Sequence, residues 1–105
     1  MLRIHDVMLD VIRHLRPIVE QIRRRDRNLA GQLHDAASNT LLNIAEGSGA
    51  RGRNRALKYS YALCEARETV SNLRAADAWG YIHGIPAPVV AGMNQVIGTL
   101  VVVSR

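Results

Sequence analysis

Between Ile4 and Ile22 apolar residues recur at positions 4, 7, 8, 11, 12, 15, 18, 19 and 22, steps of three and four that only a helix gathers on one side. Pro17 lies opposite this stripe, so the pattern predicts a first helix with a kink and an apolar face that continues through it. A second stripe, Leu29, Leu33, Ala36, Ala37, Thr40, Leu41 and Ile44, predicts a second helix with Asn28 as its N-cap and Gly47 as its stop. The third helix is expected from about Asn54 to Trp79, on Tyr59, Ala62, Leu63, Ala66, Val70 and Leu73, with Gly80 ending it. Pro86 and Pro88 suit the first turn of a fourth, whose stripe is Val89, Val90, Met93, Val96, Ile97, Leu100 and Val101. No strand-like alternation competes. The connections are short, about two to nine residues, and short connections make successive helices antiparallel. The expected fold is all-α: an up-down-up-down four-helix bundle forming one domain over residues 1–105, a length that can bury a modest core without disulfide or metal.

The fourth helix is unusual. From Gly84 to Ser104 there is no Asp, Glu, Lys or Arg, and the face opposite its core stripe is Ala91, Gln95, Gly98 and Val102. A helix on the surface of a monomer carries a charged face, so this one is expected to be buried on both sides. A membrane anchor would need about 20 predominantly apolar residues, and Pro86, Pro88, Asn94 and Gln95 argue against that. Burial between copies of the chain is the preferred reading. The third helix carries a second seam, Leu57, Tyr61, Cys64, Glu68, Ser71 and Ala75, spaced four, three, four, three, four, as helices packing on helices require. Ala91, Gln95, Gly98 and Val102 with Leu57, Tyr61, Cys64 and Glu68 form the expected oligomer interface.

Charge adds a second theme. Fourteen Lys and Arg against nine Asp and Glu leave +5, and all but Lys58 of the fourteen are arginine, whose planar fork of donors suits phosphate. Two clusters stand out. Arg23, Arg24, Arg25 and Arg27 close the first helix, where cations answer the negative pole. Arg51, Arg53, Arg55 and Lys58 open the third, where they oppose the dipole and so call for another reason, such as an anionic partner. The bundle topology would add Arg3 and Arg105 to this second cluster.

Little in the sequence suggests chemistry. Asp10 and His14 stand one turn apart but make no closed metal site, so a surface ion pair is expected there. Cys64 has acidic neighbours, Glu65 and Glu68, which do not activate a thiol, so it reads as a packing residue. The run Gly47-Ser-Gly-Ala-Arg-Gly follows a helix and lacks the Gly-Lys-Ser/Thr ending of a phosphate loop, so it reads as a flexible hinge. Asn39, Asn43 and Glu46 line one flank of the second helix, as a solvated polar edge or as a buried interhelical network. One cysteine and no signal-like apolar run at the N-terminus point to the cytoplasm.

Asn28-Leu-Ala-Gly-Gln-Leu, Asn43-Ile-Ala-Glu-Gly-Ser-Gly, Ala62 with Glu68, and Ala76 with Gly80-Tyr81 carry a resemblance across about residues 5 to 103. In these blocks the chain resembles the four-helix bundle proteins encoded in intervening sequences of large-subunit ribosomal RNA genes, a family that includes the accessory variability determinant of diversity-generating retroelements. The resemblance implies a homopentameric ring and, for the retroelement members, a basic surface that binds nucleic acid and a reverse transcriptase. It supplies no catalytic residues. Cys64-Glu65 departs from the Gly-Ser usual in that family, and the aromatic residue often found early in the third helix is missing. The expectation is thus a non-enzymatic oligomeric bundle, without cofactor or metal, binding RNA or DNA through Arg51, Arg53, Arg55 and Lys58 first, and Arg23, Arg24, Arg25 and Arg27 second. The alternative is an oligomeric protein-interaction scaffold that does not touch nucleic acid.

Overall fold

The computed structural model describes residues 2–105, and among them are four α-helices and no strand. They are α1 (Ile4–Arg23), α2 (Arg27–Gly49), α3 (Arg53–Ala78) and α4 (Ala87–Val103). The first helix follows its stripe closely: Ile4, Met8, Val11, Leu15, Ile18, Val19 and Ile22 are buried, and the apolar face passes without interruption beneath the exposed Pro17.

Both expected ends of α2 move. Its N-cap is Asp26, not Asn28: Asp26 has an extended backbone and its Oδ1 accepts a hydrogen bond from the Leu29 amide at 2.9 Å. That bond satisfies one of the otherwise unpaired first-turn donors. Asn28 is already inside the helix, accepting from Gln32 Nε2. At the other end Gly47 does not stop the helix, which runs on to Gly49. Gly47 is buried against the Tyr59 ring, and a Cβ placed there would sit 2.5 Å from Tyr59 Cε1. Glycine is required for close approach, so the expected flexible hinge over residues 47–52 shrinks to Ala50–Gly52. Gly52, at φ +57°, supplies the left-handed turn into α3.

The stripe of α3 is rotated from its expected centre. Tyr59, Ala62, Ala66, Thr69, Leu73 and Ala76 are buried, whereas Leu63 and Val70 are only half-buried at its margin. Small residues dominate here and on the facing α2, where Ala30, Ala36, Ala37 and Gly47 are buried. The α2–α3 contact is accordingly the most extensive in the molecule. Thr40 and Thr69, the buried polar side chains, donate back to the Ala36 and Glu65 carbonyls at 2.8 and 2.9 Å, so neither leaves an unpaired hydroxyl.

Each helix packs on two others: α1 on α2 and α4, and α3 on α2 and α4. A helical bundle results, 43 × 24 × 19 Å, its long dimension set by α3, whose 26 residues extend about 39 Å. Buried side chains from all four helices form a continuous cluster, joined by Ile82 from the α3–α4 connection. On α4 the core contacts are Val89, Gly92, Met93, Val96 and Leu100, with Gly92 pressed against the Val11 side chain. Val90, expected in the core stripe, is exposed. The opposite face is open: Ala91, Gln95, Gly98 and Val102 are all exposed, and Ala91 and Gln95 border a shallow groove shared with Asp6 and Asp10 of α1. Among the described residues no helix is long and apolar enough to cross a membrane.

Candidate nucleic-acid interface

The α3–α4 connection is folded back onto the α1–α2 connection. Gly80 begins this fold at φ +78°, with the Gly80 amide bonded to the Asp77 carbonyl at 3.0 Å and the Tyr81 amide to the Ala76 carbonyl at 2.9 Å. This paired closure ends a helix on a left-handed residue, and glycine takes that conformation at no steric cost. Asp77 then accepts from the Gly84 amide at 2.8 Å, and Ile82 is buried beneath the connection. Two bonds cross to the last turns of α1 and to the connection after it: Gln21 Nε2 donates to the Tyr81 carbonyl at 3.1 Å, and the Tyr81 hydroxyl donates to Asp26 Oδ2 at 3.3 Å. Asp26 therefore caps α2 with one oxygen and holds Tyr81 with the other.

This geometry sets the arginines of the α1–α2 connection beside aromatic side chains. The Arg25 guanidinium lies over the Tyr81 ring, 5.7 Å from its centroid, within range of a cation–π attraction. Trp79 lies beside Tyr81 with ring centroids 6.5 Å apart and planes 19° from parallel, and it is the most exposed large apolar side chain, at 71%. Arg23 pairs with Glu20 at 3.5 Å. Arg24, Arg25 and Arg27 are exposed and have no carboxylate partner among the described residues. The acid between them, Asp26, is already engaged by Leu29 and Tyr81.

The Arg51, Arg53, Arg55 and Lys58 cluster is arranged differently. Lys58 Nζ bonds Glu46 Oε2 at 2.8 Å, and that carboxylate raises the lysine's pKa by hydrogen bond and charge together. The same ammonium lies 5.8 Å from the Tyr61 ring centroid. Arg55 Nε donates to the Ala50 carbonyl at 3.0 Å, a local bond that braces the turn. Arg51 and Arg53 are exposed without a carboxylate partner among the described residues, as are Arg3 and Arg105. Each cluster thus has one cation in an ion pair, Lys58 with Glu46 and Arg23 with Glu20, and three exposed arginines without a carboxylate partner among the described residues. The sequence reading missed Trp79 and Tyr81 as partners of the arginines. The Gly80-Tyr81 pair after a long helix signalled a cap, but not which connection it would meet.

In fold, this chain has a well-matched neighbour. It superposes on the crystal structure of a protein of unknown function from the S23 ribosomal protein family of Bacteroides thetaiotaomicron with a TM-score of 0.81, over 97% of this chain and 98% of that one. The two sequences are 18% identical, so the likeness concerns the fold. Comparison by sequence matches no family model and no curated protein.

Other candidate positions are dispersed. His14 Nδ1 donates to the Asp10 carbonyl at 2.9 Å, with the Asp10 carboxylate 3.7 Å away, on an exposed surface. Among the described residues no three His, Cys, Asp or Glu side chains gather closely enough to hold a metal ion. Asn43 donates to the Asn39 carbonyl at 2.9 Å and Glu46 turns to Lys58, so that flank of α2 is a polar edge, not a buried network. Along the second seam of α3, Leu57, Tyr61, Cys64, Glu68 and Ser71 are exposed, and Cys64 is not a core residue. Between α2 and α3 an acidic groove is lined by Asp35, Glu65 and Glu68 with Gln32, Asn39 and Ser71. Burial raises the Glu65 pKa, helped by the Glu68 and Asp35 charges. A polyanion would be repelled from this side.

Proposed function

We propose that the protein is a non-enzymatic, homo-oligomeric basic bundle that binds RNA or DNA through phosphate contacts. The observation that carries this reading is the group Arg24, Arg25 and Arg27, exposed and lacking carboxylate partners, around an aspartate whose oxygens are already bonded. Unpaired guanidinium groups on one connection hold phosphate without first breaking an ion pair. Arg51 and Arg53 offer a second contact. In an up-down-up-down course, which the short connections favour, they would share the opposite end with Arg3 and Arg105.

Self-association belongs to the same reading. Val90 and Val102 on α4 and Leu57 and Tyr61 on α3 are exposed at 43, 57, 46 and 48%, apolar side chains that a second copy of the chain would cover. The sequence resemblance to the intervening-sequence proteins adds a ring of five and, from its retroelement members, a reverse transcriptase as protein partner. A ring would repeat each arginine cluster around an axis and raise avidity without new contacts.

Salt-dependent binding of generic RNA and DNA tests the proposal. Affinity should fall steeply with salt, and less steeply once Arg24, Arg25 and Arg27 are changed to Gln, because each phosphate contact contributes a counterion to the slope. If the purified oligomer bound no nucleic acid even at low salt, the alternative of a protein-interaction scaffold, which the same exposed apolar residues favour, would replace it.

A further inference from the structure

We infer that Trp79, with Tyr81 behind it, is a stacking platform for unpaired bases, so that the arginine cluster of the α1–α2 connection takes single-stranded nucleic acid in preference to duplex. The inference rests on the phosphate-binding reading above and adds to it a ligand class and the residue that selects it.

The Trp79 indole is 71% exposed, so its ring is open to a ligand. Beside it lies a second ring that carries a cation on its face. Arg25 lies across the Tyr81 ring, Tyr81 is stacked on Trp79, and Arg25 and Arg27 flank in sequence the aspartate that the Tyr81 hydroxyl reaches. Such a neighbourhood would repel a basic partner and would leave the guanidinium groups of a purely apolar contact stranded. A nucleic-acid strand satisfies both parts at once, phosphates on the arginines and a base on the indole. Every base has a π-face, so no sequence is read. In a duplex the bases are already stacked on one another, and Trp79 has nothing to accept.

The platform is also held in place. The paired closure at Gly80, the Gln21 and Asp26 bonds to Tyr81, the Asp77 bond to Gly84 and the buried Ile82 tie the connection at five points. Little ordering entropy remains to be lost when a base arrives.

Trp79 is the single tryptophan, so selectively excited tryptophan emission reads this site alone. The full chain is titrated with labelled oligo(dT), oligo(U) and a duplex of equal length, following tryptophan emission and label anisotropy together. Expected are quenching by the single strands and not by the duplex. Trp79→Ala should weaken single-strand binding on the order of tenfold while leaving duplex binding and the salt slope unchanged, and Trp79→Phe should restore most of the loss. Oligo(U) against oligo(dT) tells whether RNA or DNA is the better ligand. Single strands bound with no change in emission and full affinity in Trp79→Ala would overturn the stacking site and leave the phosphate reading standing. Absence of binding to all three ligands at low salt would overturn both.

Discussion

Gly47 lies so close to Tyr59 that a methyl group in place of its hydrogen would overlap the ring, 2.5 Å from Cε1. The tyrosine is buried, and its hydroxyl lies 3.3 Å from Ser48 Oγ, one residue further along α2. The two helices are therefore locked together where a glycine was expected to end one of them. Gly47→Ala should destabilise the fold by about 1–3 kcal/mol, the usual cost of forcing extra volume into a packed site. Gly31 is also inside α2 but has nothing within 4 Å of a built Cβ, so Gly31→Ala should stabilise by up to about 1 kcal/mol through helix propensity alone. Urea unfolding of the two variants should move in opposite directions.

Asp26 holds two elements with one carboxylate. Asp26→Ala should cost about 1 kcal/mol for the lost cap on Leu29. It should also release the Tyr81 hydroxyl, seen as greater amide hydrogen exchange in residues 79–85, whereas Asp26→Asn, which keeps an acceptor for the Leu29 amide, should retain most of the stability.

Glu65 gives a pH dependence with a definite sign. Its pKa is raised above the ordinary 4.5 by burial first and by Glu68 and Asp35 next. A group whose folded pKa is raised stabilises the fold when protonated, so its contribution is fully present below pH 4.5 and is lost as pH rises through the folded value. Glu65→Gln should therefore be more stable than the parent at pH 7, with the advantage disappearing below about pH 4.5. Paired urea titrations at pH 4 and pH 7 measure this.

The outer face of α4 predicts the assembly. Gly98 has open space around it and Val102 is exposed, so Gly98→Glu and Val102→Glu should leave the helical circular dichroism of the isolated bundle unchanged. If that face joins copies of the chain, a buried unpaired carboxylate in each interface should split the oligomer. Sedimentation velocity should then report monomer for these variants and a larger species for the parent.

The hydrophobic spacing by itself determined four helices, because a 3.6-residue period repeated over 17 to 26 residues has no other way to bury its stripe. It determined the α1 core almost residue by residue, since that stripe is built from large aliphatic side chains. It also determined that the second face of α4 lacks charge. The stripes of α2 and α3 were legible only roughly, because alanine, glycine and threonine supply their contacts and such residues are common on any helix face. Only the tertiary structure decided the role of Gly47, since close approach depends on a side chain twelve residues away on another helix. Only the tertiary structure brought Tyr81 to Asp26 and Arg25, 55 and 56 positions apart in the chain, and so turned an arginine run and a lone tryptophan into one surface. Periodicity records how a helix meets the core. It carries no information on which connections meet each other, which follows from helix lengths and from how the packed stripes orient the ends.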